Sequence, residues 1–346
     1  MIKFKVICVN KKMSLRELKF SNQIQEEQVK SVYHKNFNYV ITERFYFQQQ
    51  WLYNAYGRFK DFDKYLILIY LLQKTFKAYG EFQIKNTYDE FYSKETFEIP
   101  KINVIDLSRD LLISKETTRR KILELERDGV IKKDKKKILI NRKGQEYQKP
   151  KDSIKSMARL LSRFTDFLSK SNLLDKKIDN DILEKKIKEN FTQIWTIFFD
   201  NQIPTIVRWK KFFGDIETWS IWGQCIYNQN LVLNKNFKAN ISTDLTSDNF
   251  IVKLNNEGVQ GLNAMTISEL SGIPRPTALR KLNNLVKRKL VKKDKKSLYL
   301  LFSHLNIDSA AIEKDAVLRE VRDINKLNEV NFIKMLTKML NNIVFV

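Results

Sequence analysis

Two short lysine runs are the most conspicuous chemistry in this sequence of 346 residues. The first comprises Lys132, Lys133, Lys135, Lys136 and Lys137 around Asp134, and the second Lys292, Lys293, Lys295 and Lys296 around Asp294. Each follows a stretch in which Lys115, Arg119 and Arg120, or Arg275, Arg280 and Lys281, fall at helical spacing, with Thr117, Thr277 and Asn283 beside them. Ammonium and guanidinium groups grouped in this way bind phosphate oxygens, and arginine, asparagine and threonine can also hydrogen-bond the edges of bases. The formal charge is +9 from Arg275 to Lys296 and +5 from Lys115 to Lys137, so the cations concentrate where such a ligand would lie. A single lysine run is equally well explained as a solvated turn, whereas two in register favour phosphate contact. Glu124 stands one helical turn from Arg120, but Arg280 has no acid on its helix, which makes Arg280 the better reader.

Catalytic constellations are missing by comparison. His34 and His304 lack metal-ligand spacing, Cys8 and Cys225 belong to no cluster, and the chain has no glycine-rich phosphate loop, G-x-S-x-G or recognisable carboxylate pair. The expectation is a non-enzymatic protein with no metal or cofactor. Sixty-three Lys and Arg against 40 Asp and Glu give a formal charge of +23, which calls for a polyanionic partner: double-stranded DNA first, an anionic membrane surface behind it. An AT-rich genome, which favours Lys, Asn and Ile, competes as the source of the global excess, so the placement of charge decides. The longest apolar run, Tyr65 to Leu72, is far shorter than the ~18 residues of a membrane span, and the basic start has too short an apolar stretch for a signal peptide. A cytoplasmic location in a reducing compartment follows as the expectation.

These side chains need elements to hold them. With 9 glycines, 5 prolines and 43% hydrophobic residues, the chain is predicted to fold mainly as α, with small β-hairpins as the minority. The chain is expected to divide into an N-terminal extension (1–42), a helical segment ending in a first basic unit (43–148, core 102–140), a helical middle region (149–261), a second basic unit (262–304) and a C-terminal amphipathic helix (305–346). Within these, 80–100 and 234–261 read as loops, 141–152 as a linker, and 153–168, 181–199, 203–213 and 217–229 as helices. Trp195, Trp209, Trp219 and Trp222 recur at helical spacing and are assigned to the core rather than to a ligand pocket. Along the C-terminal helix Val317, Val321, Ile324, Leu327, Met335, Leu336, Met339, Leu340 and Ile343 make one apolar face, available to its own chain or to a second copy as a homodimer. The sequence leaves a small-molecule effector open.

The two basic units repeat each other at a fixed offset of 160 residues. Asn103, Ser108, Ile113, Thr117, Arg120, Lys121 and Leu125 match Asn263, Ser268, Ile273, Thr277, Arg280, Lys281 and Leu285, and Lys132, Lys133, Asp134, Lys135 and Lys136 match Lys292, Lys293, Asp294, Lys295 and Lys296 one for one. Apolar type is kept at Leu107 and Ile267, Ile122 and Leu282, Val130 and Leu290, Ile131 and Val291, and Ile138 and Leu298. The segments 65–79 and 219–229 are weaker candidates for equivalent preceding helices. In the second unit Gly272 supplies the tight turn, Ile273 plugs the core, Pro274 suits a helix start, and Ala278, Leu282 and Leu285 face inward while Arg280 faces out.

NAMTISELSGIPRPTALRKLNNL and LERDGVIKKDKKKILI resemble the winged helix-turn-helix regulators of bacteria, in the broad MarR and IclR style. The resemblance covers about 80 of 346 residues. It implies tandem winged helix-turn-helix domains embedded in helical bundles, with the second helix of each in the major groove and the wing on flanking backbone. By position it assigns Lys115, Thr117, Arg119 and Arg120, and Arg275, Thr277, Arg280 and Asn283, to the reading helices. Lys289 where the first unit has Gly129, and the apolar Leu279, depart from the pattern. The function expected is sequence-specific DNA binding in transcriptional regulation. Plasmid or phage replication initiation, and a winged-helix scaffold or RNA binder, are the alternatives.

Overall fold

Scarcity of glycine and proline leaves long uninterrupted stretches, and helix fills them. The computed structural model describes residues 23–99, 103–134, 137–141, 150–239, 246, 249–257, 260–301 and 314–345. Its helices are α1 (Glu26–Lys35), α2 (Phe37–Phe59), α3 (Phe62–Glu81), α4 (Tyr88–Ser93), α5 (Val104–Leu111), α6 (Lys115–Arg127), α7 (Lys151–Lys170), α8 (Asn180–Glu189), α9 (Phe191–Phe213), α10 (Ile216–Ala239), α11 (Phe250–Glu257), α12 (Ala264–Ser271), α13 (Arg275–Lys287) and α14 (Ala316–Ile343). The strands are β1 (Thr96–Glu98), β2 (Ile131–Asp134), β3 (Lys137–Asn141), β4 (Val291–Lys293) and β5 (Tyr299–Leu301). They form two small antiparallel sheets, ordered β1-β3-β2 and β4-β5. The fold is therefore mainly helical with small antiparallel sheets.

Helix α9 runs through the middle, with α3 on one side and α14 on another, while α2 reaches α3, α7 and α10. Trp195, Trp209, Trp219 and Trp222 are all buried, and the Trp209 ring lies 5.4 Å from that of Trp222, so these residues are core. The buried apolar side chains of both basic units join one contiguous cluster with the rest. On α14, Val321, Met335, Leu336, Met339, Leu340 and Ile343 are buried within the chain, whereas Val317 and Leu327 stay exposed. The helix spends most of its apolar face on its own chain.

The order helix, turn, helix, hairpin occurs twice, and the matching positions do matching work. Leu107, Leu111, Ile113, Ile122, Leu125, Val130 and Ile131 are buried in the first unit; Ile267, Ser271, Ile273, Leu282, Leu285, Leu290 and Val291 are buried at the same positions of the second. Asn103 and Asn263 cap α5 and α12 through their side chains. Ser108 Oγ donates to the Ile113 carbonyl at 2.6 Å, and Ser268 Oγ to that of Ile273 at 2.7 Å. Several residues shared by the two units are thus framework.

Elsewhere the structure departs from the sequence expectations. The stretch expected as a loop over 80–100 is not plain loop in its described part, 80–99, which contains α4 and β1 and buries Phe91 and Phe97. The expected helix 181–199 breaks at Asn190, which ends α8 and begins α9, and the helix then continues through Pro204 to Phe213. An internal proline costs about 3 kcal/mol, and burial of Phe198, Phe199, Ile203 and Ile206 around it offsets that. Helix α10 runs on to Ala239 and α11 follows, where a loop was expected. Part of the supposed N-terminal extension belongs to the body, with Val29 and Tyr33 of α1 fully buried. Most of the linker, 142–149, lies outside the described residues. In the hairpins Ile131 faces Ile140 but Val291 faces Leu301, so the second turn is one residue longer and the match of Ile138 to Leu298 is out of step.

Two turns are left-handed in both units. Gly129 at φ 72° corresponds to Lys289 at φ 58°, and Gly272 at φ 69° to Leu112 at φ 51°. Lys289 makes the same closing bonds as Gly129, from its N–H to the Val286 carbonyl and from the next N–H to Leu285, so the helix end is intact but strained. A side chain in this conformation costs about 1–2 kcal/mol. Lys289→Gly and Leu112→Gly are each expected to raise the unfolding free energy in urea by about 1 kcal/mol, and Gly272→Leu to lower it. No gain from either glycine would contradict the strain assignment.

Candidate nucleic-acid interface

Helix α6 is anchored by Thr118, Ile122 and Leu125, and α13 by Ala278, Leu282 and Leu285. Away from these anchors, each helix turns its other side to solvent. On α6 the exposed side chains are Lys115, Glu116, Arg119, Arg120, Leu123 and Arg127; on α13 they are Arg275, Pro276, Arg280, Asn283, Asn284 and Lys287. Lys115, Arg119, Arg120, Arg275, Arg280 and Asn283 are therefore all open to solvent. Thr117 and Thr277 are half-buried, and Thr117 is engaged with Ser114, whose Oγ donates to it at 2.9 Å and accepts its N–H at 3.1 Å. Leu279 leans onto the core, which explains an apolar residue there.

The two faces differ in charge. Glu124 lies 3.7 Å from the Arg120 guanidinium, and α6 also carries Glu116 and Glu126. The corresponding positions on α13 are Asn284, Pro276 and Val286, so α13 bears cations without acids.

In the second hairpin Lys292, Lys293, Lys295 and Lys296 are all exposed. Its tip is held by Asp294, whose carboxylate accepts the N–H groups of Lys296 and Leu298 at 2.8 Å each, with Ser297 at φ 61°. The acid interrupting the lysine run is thus a turn-former. In the first hairpin Lys132 is exposed, and Lys133 and Lys137 have their backbones in β2 and β3. Lys135 and Lys136 lie outside the described residues.

Lys281 requires a correction. Rather than facing outward, its Nζ turns back to Asp215 at 2.5 Å, with the side chain only 16% exposed. Its counterpart Lys121 does the same with Asp61 at 2.6 Å and with Glu124 at 2.9 Å. Each aspartate also caps the helix that precedes the unit: Asp61 accepts the Lys64 N–H at 3.0 Å, and Asp215 the Thr218 N–H at 2.7 Å. The ion pair thus docks the cationic helix onto α3 in one unit and onto α10 in the other. A signal for this exists in the chain: Asp61-Phe62-Asp63-Lys64-Tyr65 and Asp215-Ile216-Glu217-Thr218-Trp219 share acid, apolar, acid, any, aromatic, at an offset of 154 rather than 160.

Burial pushes the Asp61 and Asp215 carboxyls up, but their lysines and capped N–H groups outweigh it and leave both below the ordinary carboxylate range. Glu217 is the opposite case, where burial, with Asp215 adding to it, pushes the carboxyl up to about 7.

Comparison with protein-family models, curated proteins and solved structures returns no match to this chain. Among the described residues no helix is long and apolar enough to cross a membrane, and no group of three His, Cys, Asp or Glu could hold a metal ion.

The pH dependence of stability should separate these carboxyls. A raised Glu217 contributes stability that is complete below the ordinary carboxylate range and is lost as pH rises through about 7. The lowered Asp61 and Asp215 contribute stability that is present above that range and is lost in acid. Glu217→Gln is expected to remove the decline on the neutral side and leave the acid limb unchanged, read from urea midpoints across about pH 3 to 8. An unchanged neutral slope in the variant would contradict the Glu217 assignment.

Proposed function

We propose that the protein is a sequence-specific double-stranded DNA-binding protein, a transcriptional regulator that reads its site with two winged helix-turn-helix units in one chain. The observation that carries this reading is the exposed side of α13: Arg275, Arg280, Asn283, Asn284 and Lys287 face solvent from a helix whose other side is buried. Such a helix fits the major groove, where arginine pairs with guanine and asparagine with adenine. The element order supports it too. Apart from the inserted α4, helix α3, β1, α5, α6 and the β2-β3 hairpin come in the order of a winged helix, and apart from the inserted α11, helix α10, α12, α13 and the β4-β5 hairpin follow suit, with a bridge from Leu262 to Tyr299 in place of the third strand among the described residues. Lysines on the hairpins supply phosphate contacts beside the groove.

Selection of bound fragments from a random duplex pool gives the site, and substitutions then separate the roles. Arg280→Ala is expected to cost about 1–3 kcal/mol on the selected site and to relax preference at one base pair. Lys292→Ala with Lys293→Ala is expected to weaken all duplexes alike. Equal effects of both changes on selected and unrelated DNA would contradict the division of labour. Iterated copies of the site among the fragments would point to a replication origin rather than a promoter.

A further inference from the structure

The sequence presents the two units as separate modules, and a flexible connection between them would let a pair of half-sites vary in spacing. The structure ties them through the last turn of α9. Lys210 is 7% exposed, and its Nζ donates to Asp63 of α3 at 2.7 Å and to the carbonyl of Leu111, the last residue of α5, at 3.3 Å. That carbonyl lies at a helix C-terminus, where a cation is doubly favoured. Two residues further on, the second unit takes hold: Arg288, just past α13, donates to the Phe212 carbonyl at 2.8 Å and the Phe213 carbonyl at 3.4 Å, with its guanidinium 5.0 Å from the Phe212 ring centre. Gly214 then turns the chain at φ 90°, and Asp215 holds Lys281 near the middle of α13. Residues 210–215 therefore grip the first unit on one side and α13 on the other. On the first side the grip continues from Asp63 along the same turn to Asp61, which holds Lys121 of α6.

Building on the DNA-binding reading, we infer that the two units act as one rigid gauge, with Lys210 as a positioning residue, so that the protein accepts its two half-sites at a single separation and helical phase. Each base pair added between half-sites both shifts and rotates one of them around the duplex. A rigid pair cannot follow that rotation, and loses the gain from binding both at once.

The test uses the full-length protein and a duplex selected by it from a random pool, rebuilt with one to four base pairs inserted between the two protected segments. The wild-type protein is expected to lose about 100-fold in affinity on insertion, down to the level of a duplex carrying one half-site. Lys210→Met combined with Asp63→Asn removes both partners together, so that no buried charge is stranded. This variant is expected to keep its single half-site affinity while its loss on insertion shrinks by about threefold or more from the wild-type value, the shared apolar core retaining the rest. Wild-type binding that ignores spacing overturns the gauge and leaves the DNA-binding reading standing. The gauge is equally overturned if the double variant, folded by circular dichroism, is as strict about spacing as the wild type. Failure of the wild type to retain any duplex from the pool overturns the DNA-binding reading, and the gauge with it.

Discussion

A helix can offer cations to a ligand only if something holds its other side, and here a lysine-aspartate pair does so twice. Lys121 with Asp61 and Lys281 with Asp215 fasten α6 and α13 onto the caps of α3 and α10. One acid therefore starts a supporting helix and anchors the helix it supports. The apolar stripe beneath each cationic helix supplies the burial energy and sets its rotation about the axis, and the ion pair fastens the helix in that orientation. That rotation decides which side chains meet solvent: in α13 it turns Arg280 out and Lys281 in.

The two units resemble each other more closely in their framework than in their outer surface. Asn103 and Asn263 cap, Ser108 and Ser268 close the same turn, and the paired lysines dock. Outward positions have diverged, with Leu123 answering to Asn283 and Glu124 to Asn284. Each unit also holds a left-handed turn that one copy fills with glycine and the other with a strained side chain, and the glycine falls in different copies at the two turns. A fold tolerates about 1–2 kcal/mol of such strain when surrounding packing fixes the backbone.

Much of the architecture could be read from periodicity. Helices α5, α6, α12 and α13 were legible because apolar residues at i, i+3 and i+4 alternate with charge, and because Gly272 and Pro274 mark the turn between the last two. β1 was not, since three residues, Thr96–Glu98, give no alternation to detect; pairing with β3 defines that strand. The boundary between α8 and α9 is not legible because proline is a stronger local signal than asparagine, yet Asn190 breaks the helix and Pro204, among buried aromatics, does not. The inward turn of Lys281 escaped because its partner lies 66 residues away in sequence. A lysine that faces solvent and one that pairs with a helix cap look alike until the rotation of the helix is known.

The proposed function requires two solvent-facing cationic helices, with their basic hairpins, to meet a polyphosphate surface. The most direct measurement is the affinity for a selected duplex across a series of salt concentrations. Lys115, Arg119, Lys132, Arg275, Arg280, Lys287, Lys292, Lys293, Lys295 and Lys296 are exposed, and neutralising about six or more phosphates with them releases as many counterions. A log-log slope of about −5 or steeper is predicted. Binding that hardly changes with salt, or no duplex binding at low salt, would contradict this function.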